Sequence, residues 1–388
     1  MLDKAKYLNK VSTSTKLTML LIAMTTMMSN VAIVTALPHL KDYFTSTQNI
    51  EFLAKLMLTL PSLAIAFLAP ILGHLVFKIG RKRSALTALF LFSITGSGGL
   101  YLDTMYELLT SRFLLGISIA ILMIVSTSLV GDYFKGDERH KFMGLQGVFI
   151  AVGGVIFVVG GGMLSDINWR YSFAIYLIGF ILIPLVYRFL NEKIINSTQQ
   201  EEQEDLNSNI LFIYFLAFLL MLVFYILPTQ IPFLIMNHFG SSGTLTGSII
   251  ATAFISNAIG AIAFRKLKQK FTHNQIYIIG MSIIAFGFIG IGLVTNVYFF
   301  FLTAPIMGFG GGVLMTNMTA WMLSVTHHTK RIQSSGYLTS ALFLGQFFSP
   351  ILFHPLVSKV SIDKFFIIVG ILIFIITTTV IAFKKLKS

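Results

Sequence analysis

Arg112 is the charged residue placed where charge is hardest to keep. It lies inside an apolar run from Leu108 to Gly131 that carries no other ionisable side chain. A guanidinium at membrane depth costs on the order of 2.5–3.5 kcal/mol or more, so it must face a bundle interior or water. Two uses fit. Arg112 binds a solute or takes part in proton coupling, or it donates to backbone carbonyls near an interface and snorkels there. Glu107 is five residues away, roughly 140° around a helix, so the two do not stack. Asp103 lies near the end of the preceding run and can approach. Uncharged polar residues stand near the centres of other apolar runs: Asn30, Tyr225, Gln230, Asn257, Asn317, Trp321 and Gln346. An amide in lipid needs a partner, either a solute or a neighbouring helix.

Other chemistries lack their residues. No Gly-Lys dipeptide occurs, so no P-loop can cradle a nucleotide. There is no Cys, hence no thiolate nucleophile and no Cys-based metal site. The eight His residues show no ligand spacing; His327 and His328 are adjacent, and their side chains diverge on a helix. Neither paired carboxylates nor a Ser/His/Asp set stands at membrane depth. The expectation is a non-enzyme with no cofactor and no metal.

The elements that would hold these residues are membrane spans. Of the residues 55% are hydrophobic and 11% are charged, where a soluble domain has about 25% charged residues. The mean hydropathy is +0.83. Twelve apolar runs, near 17–38, 53–77, 85–103, 107–131, 142–165, 172–190, 210–235, 244–264, 276–294, 297–325, 336–357 and 363–383, approach the ~20 residues that cross a bilayer as a helix. The basic start leads into a run too long for a signal peptide, so it reads as a retained first helix. With the N-terminus inside, the inner segments hold 22 of the 28 Lys and Arg residues and the outer segments hold five, Lys41, Lys55, Arg170, Lys359 and Lys364. This positive-inside pattern places both termini in the cytoplasm. It also accounts for the net charge of +13 without nucleic acid.

The polar, acidic stretch 191–209 reads as a solvated cytoplasmic linker. It divides the chain into halves 1–190 and 210–388, and its Asn196-Ser197-Thr198 sequon is read as accidental. The halves echo each other: the basic turn near 78–83 recurs at 265–270, and 132–165 is echoed by 326–357. Glycines cluster in the fifth and tenth spans, where small residues allow close helix approach. Pro228 and Pro232 are expected to break the seventh span near its outer end.

Five stretches carry a resemblance to the major facilitator superfamily. Gly73-x-Leu75 with Gly80-Arg81-Lys82 is similar to its signature between spans 2 and 3. Arg112 with Gly116 resembles its span-4 motif. Asp132-Tyr133-Phe134, Glu138-Arg139 and Gly144 resemble its pattern between spans 4 and 5. Gly161-Gly162-Met163-Leu164 and Trp169-Arg170-Tyr171-Ser172-Phe173 resemble the end of span 5 and the following turn. Gly345-Gln346-Phe347-Phe348-Ser349-Pro350 is similar to drug-efflux-like and sugar-efflux-like bacterial members. There are departures. Phe77 stands where the first signature usually has an acid, and Phe157 and Val158 stand where the antiporter motif usually has Gly-Pro. The first span lacks the embedded acid of some drug exporters.

The resemblance implies an all-α membrane protein of twelve transmembrane helices in two pseudo-symmetric six-helix bundles, working by alternating access. It implies a substrate cavity or coupling set comprising Arg112, Asn30, Tyr225, Asn317, Gln346 and Asn257. It implies an inner-gate motif of Gly73, Lys78, Gly80, Arg81, Lys82, Asp132 and Arg139, with Asp132 as the partner for Arg81 that the missing acid leaves open. Without a buried Asp or Glu, the cargo is expected to be neutral, zwitterionic or anionic. The functional expectation is a secondary transporter of the cell inner (plasma) membrane, a proton-coupled exporter of a small amphiphilic solute. An importer or exchanger of a small metabolite is the alternative, and a non-transporting receptor is the second. The partners expected are a small-molecule substrate, the lipid bilayer and protons or another coupling ion, with no nucleic acid and a monomeric chain.

Overall fold

A computed structural model describes residues 11–191, 208–327 and 330–385, which include residues 208–209 of the acidic linker but not 192–207. The described residues form helices and the short connections between them. The helices are α1 (Thr13–Val31), α2 (Leu37–Tyr43), α3 (Ile50–Ile79), α4 (Arg81–Gly96), α5 (Met105–Tyr133), α6 (Gly136–Ile167) and α7 (Ile178–Phe189) in the first half. The second half has α8 (Ser208–Phe224), α9 (Ile226–Pro232), α10 (Gly243–Lys268), α11 (His273–Gly292), α12 (Phe300–Val325), α13 (Arg331–Val357) and α14 (Ile362–Lys385). Among the described residues, ten helical segments are long and apolar enough to cross a membrane. The first and third expected spans are also helical. α1 has 19 residues and many hydroxyls, while α4 has 16, short of the ~20 that a bilayer asks for.

The packing repeats between the halves. α3 lies on α5, α4 on α5 and α7, and α1 on α6 and α5. In the same way α10 lies on α12, α11 on α12 and α14, and α8 on α13 and α12. Each pair recurs seven helices later, which gives the sequence echo a physical meaning. The halves meet through α3 against α13 and α6 against α10. Gly162 and Gly247 make the second contact possible, since a Cβ on either would run into the backbone of the opposite helix.

Two helices are broken at matching places. After α1 the chain passes through a 3-10 turn, Val34–Ala36, into α2, with Pro38 in the first turn. After α8 it turns at Tyr225, runs as α9 to Pro232 and winds as a π-helix over Phe233–His238. Pro228 cannot donate to the Phe224 carbonyl, and its ring displaces that turn. The Val34–Ala36 turn touches α9, so the irregular parts of both halves meet.

The two ends of the seam differ. At one end, α6 abuts α10 through Gly162 and Gly243, and Phe52 of α3 lies 5.3 Å from His354 of α13. At the end bearing the basic loops, Gly73 (α3), Gly144 and Gly147 (α6) and Gly336 (α13) each have open space where a Cβ would stand, as does Gly160 of α6 nearer the other end.

Candidate functional site

The turn between α3 and α4 is built on Gly80. Its φ of 98° lies in the region closed to L side chains. It ends α3 through an N–H bond to the Val76 carbonyl and starts α4 in the same step. That reversal places Arg81 at the first position of α4, where its Nε meets Asp132 Oδ2 at 3.0 Å. Both side chains are largely buried, 16% and 12% exposed. The Phe77 ring lies 5.5 Å from the same guanidinium, within reach of a cation–π contact. The position that lacks an acid thus offers a π face, and the carboxylate comes from α5. Lys82 sits over the Tyr187 ring at 5.0 Å. Arg139 reaches across Gly131, its Nη2 3.9 Å from where a Cβ would stand. Lys78 is exposed, and Gly73 faces open space.

Arg112 is fully buried. Its Nη2 donates to the Gly96 carbonyl at 2.6 Å, where α4 ends. Its guanidinium lies 4.7 Å from the Phe173 ring and 4.9 Å from the Tyr176 ring, in the 3-10 segment Trp169–Leu177 that precedes α7. The two acids nearest in sequence are engaged elsewhere. Glu107 closes a capping box with Thr104 at the start of α5. Asp103 pairs with Arg170 at 2.8 Å. Arg170 also donates to the Gly99 and Leu102 carbonyls and to the Tyr43 hydroxyl.

The other candidates separate into distinct places. Gln346 on α13 is buried in the seam and accepts from the Ser62 hydroxyl of α3 at 2.8 Å. Nearby, Ser340 of α13 donates to the Ala66 carbonyl of α3. Asn317 on α12 is fully buried and ties α12 to the start of α11. Its Nδ2 donates to the His273 carbonyl at 3.0 Å, and its Oδ1 lies 2.8 Å from His273 Nδ1. The His273 ring in turn stacks on Trp321. Asn257 is half-buried on α10, against Gly311 and Gly312 of α12. Tyr225 is buried at the α8–α9 break, where its carbonyl takes the Thr229 hydroxyl. The Asn30 side chain lies outside the described residues.

Two features escape a residue-by-residue reading of the sequence. Lys55, counted there as an outer charge, is fully buried one turn into α3. Its Nζ lies 2.7 Å from Glu51 Oε1, and the Phe233 ring of the second half is 4.8 Å away. Lys41 takes the other Glu51 oxygen at 3.0 Å. Arg112 is therefore not the single buried cation. The i, i+4 spacing of Glu51 and Lys55 was the available signal. Gln230 is the second feature. It is fully buried on α9, and neither its amide oxygen nor its nitrogen has a hydrogen-bond partner among the described residues. The Thr35 and Ser349 hydroxyls, on elements touching α9, are buried and lack such partners too. Such groups each cost about 1–3 kcal/mol, so a fold keeps them for a reason.

The sequence matches the Major Facilitator Superfamily over residues 19–212 and 213–387. A class H tetracycline resistance protein of Pasteurella multocida is 27% identical over 340 residues, covering 83% of each chain. The bacillibactin exporter of Bacillus subtilis (strain 168) is 22% identical over 360 residues, covering 86% of this chain and 87% of its own. The multidrug transporter protein MdtP of B. subtilis is 34% identical over 128 residues, which span 32% of this chain and 23% of that protein. Among solved structures, the xylose transporter XylE from E. coli in an inward open conformation superposes with a TM-score of 0.75 at 14% identity, covering 94% of both chains. A mutant of the nucleoside transporter NupG gives 0.78 at 12% identity, covering 95% of this chain and 99% of its own. With matches to both halves and relatives along most of its length, this chain belongs to the Major Facilitator Superfamily, on its drug-efflux-like branch of membrane transporters.

Proposed function

We propose that this protein is a twelve-span secondary carrier of the bacterial inner membrane, with both termini in the cytoplasm. It exports a small amphiphilic solute in exchange for protons, as a monomer, by rocking its N-terminal bundle (1–190) against its C-terminal bundle (210–388). The observation that carries this reading is the asymmetry of the seam. The named contacts of α3 with α13 and of α6 with α10 run from the end away from the basic loops to mid-helix, while Gly73, Gly144, Gly147 and Gly336 face open space at the basic end. Given the positive-inside rule, this is a carrier closed outward and open inward, the state that loads cargo for export.

The cargo site lies between the halves, beneath the closed seam. Gln346 stands at its edge, Tyr225 marks the hinge of the broken seventh span, and Asn257 extends it along α10; Asn30 is kept as a candidate from the sequence. Near the seam the buried Lys55 is balanced by Glu51; the buried guanidinium of Arg112, deeper in the first half, favours a neutral, zwitterionic or anionic solute over a lipophilic cation. The bacillibactin relative is an exporter by name, and export is extended to this chain as part of the proposal.

The experiment is flux in proteoliposomes under an imposed pH gradient, with a solute panel of both charges. Cargo leaving with the sign of proton exchange supports the reading. Flux indifferent to the gradient removes proton coupling, and strong ethidium transport with no anion transport removes the cargo class. Ligand binding without flux would make the protein a receptor.

A further inference from the structure

The start of α10 is completed by a residue of the other half. A helix of this length begins with backbone N–H groups that have no partner of their own. Ser242 is the N-cap, and its hydroxyl takes the Leu245 N–H at 3.1 Å. The Gly243 and Thr244 N–H groups instead go to Asp166, the second-last residue of α6. Gly243 N donates to Oδ1 at 2.5 Å, and Thr244 N donates to Oδ2 at 2.9 Å. The Thr244 hydroxyl donates to Oδ2 as well. One carboxylate therefore accepts three hydrogen bonds from α10 across the seam, at the positive end of the helix dipole.

The equivalent corner on the other side of the seam is built differently. α3 carries its own acid, Glu51, in its first turn, whereas α10 has none. The acid that α10 lacks is lent by α6. Close packing seats it: a Cβ on Gly243 would collide with the Ser165 hydroxyl, and Gly162 is equally tight against Gly243.

We propose that Asp166 is the latch of the outer gate, a positioning residue for transport. When the halves part at this end, α10 loses the partners of its first two N–H groups, and the carboxylate returns to water. The latch therefore stabilises the outward-closed state specifically and sets how often the seam opens. The inference rests on the alternating-access reading but not on the identity of the cargo. Asp166 is solvent-exposed, so its release traps no charge in the seam. That suits a contact made and broken in every cycle.

The chain contains no Cys, so single-cysteine reporters are clean. Val158→Cys places a thiol at a fully buried position of α6, on the residue whose backbone carbonyl lies against Gly247 of α10. Ala285→Cys places one inside the second half, fully buried on α11. With a membrane-impermeant maleimide applied to right-side-out vesicles, Asp166→Asn is expected to raise labelling of Val158→Cys about tenfold, the effect of weakening hydrogen bonds to a charged acceptor. Labelling of Ala285→Cys stays at its parent rate. Thr244→Val, which removes one of the three bonds, gives a smaller rise at Val158→Cys alone. An unchanged rate at Val158→Cys overturns the latch. A rise at both reporters also overturns it, because that is general loss of packing. Flux in the parent protein reads the carrier proposal separately, so a selective rise without flux leaves the latch standing.

Discussion

Arg81 Nε and Asp132 Oδ2 lie 3.0 Å apart, joining the first residue of α4 to the last turn of α5. Both side chains are mostly shielded, so the pair lies between the weak surface case and the costly buried one. Arg81→Ala and Asp132→Ala are each expected to lower flux several-fold. The exchanged pair Arg81→Asp with Asp132→Arg recovers part of it. A double-mutant cycle on thermal unfolding should return a coupling of about 1–2 kcal/mol; a coupling of zero means that the contact is incidental.

Lys55 depends on Glu51 for its charge. Glu51→Gln leaves an ammonium buried without its carboxylate, and breaking such a pair costs up to about 3–5 kcal/mol. The expected result is a marked drop in melting temperature in detergent. Glu51→Gln combined with Lys55→Met should restore most of it, because an apolar chain of similar length fills the space against Phe233. If the double variant melts as low as the single one, packing around Glu51 is what matters, and the pair is not.

Gln230 is expected to trade stability for function. Gln230→Leu removes two buried polar atoms that have no partner among the described residues, so stability rises, by about 1 kcal/mol or more. Flux should fall, because the amide is held ready for cargo or for the opened state. Calorimetry and flux on one preparation decide it. A lower melting temperature, or undiminished flux, removes Gln230 from the transport machinery.

Arg112 separates charge from packing. Arg112→Ala empties the space between the Gly96 carbonyl and the Phe173 and Tyr176 rings, so it is expected to destabilise by about 3 kcal/mol or more. Arg112→Met fills that space without charge. If Arg112 tunes cargo charge, folded Arg112→Met shows flux shifted toward cations in a competition assay. An unaltered cargo profile at normal yield would leave Arg112 as a packing residue.

Composition and local order are enough to specify the helices. Long apolar runs can only be satisfied as helices in lipid, because each backbone N–H must find its carbonyl within the segment. Helices appear within the runs that predict them, including the interruption at Pro228 and Pro232, whereas the break at Val34–Ala36 and the 3-10 stretch Trp169–Leu177 are seen only in the structure. The Gly80-Arg81 turn was legible too, since a positive φ calls for glycine. Pairing between distant residues was legible only where the family resemblance pointed to it, as with Arg81 and Asp132.

Packing of one helix on another settles which polar groups are consumed by the fold and which are left over. Asn317 looks free on one helix but is taken by His273. Asp103 goes to Arg170 rather than Arg112. Lys55, an outer charge by position, is drawn under the seam by Glu51 and Phe233. Gln230, one amide among several in the sequence, is left without a partner among the described residues. Asp166 reads as a surface acid until α6 is laid beside α10. In nearly every case the deciding quantity is a contact between residues on different helices, and helical periodicity reports only which face of its own helix a residue occupies.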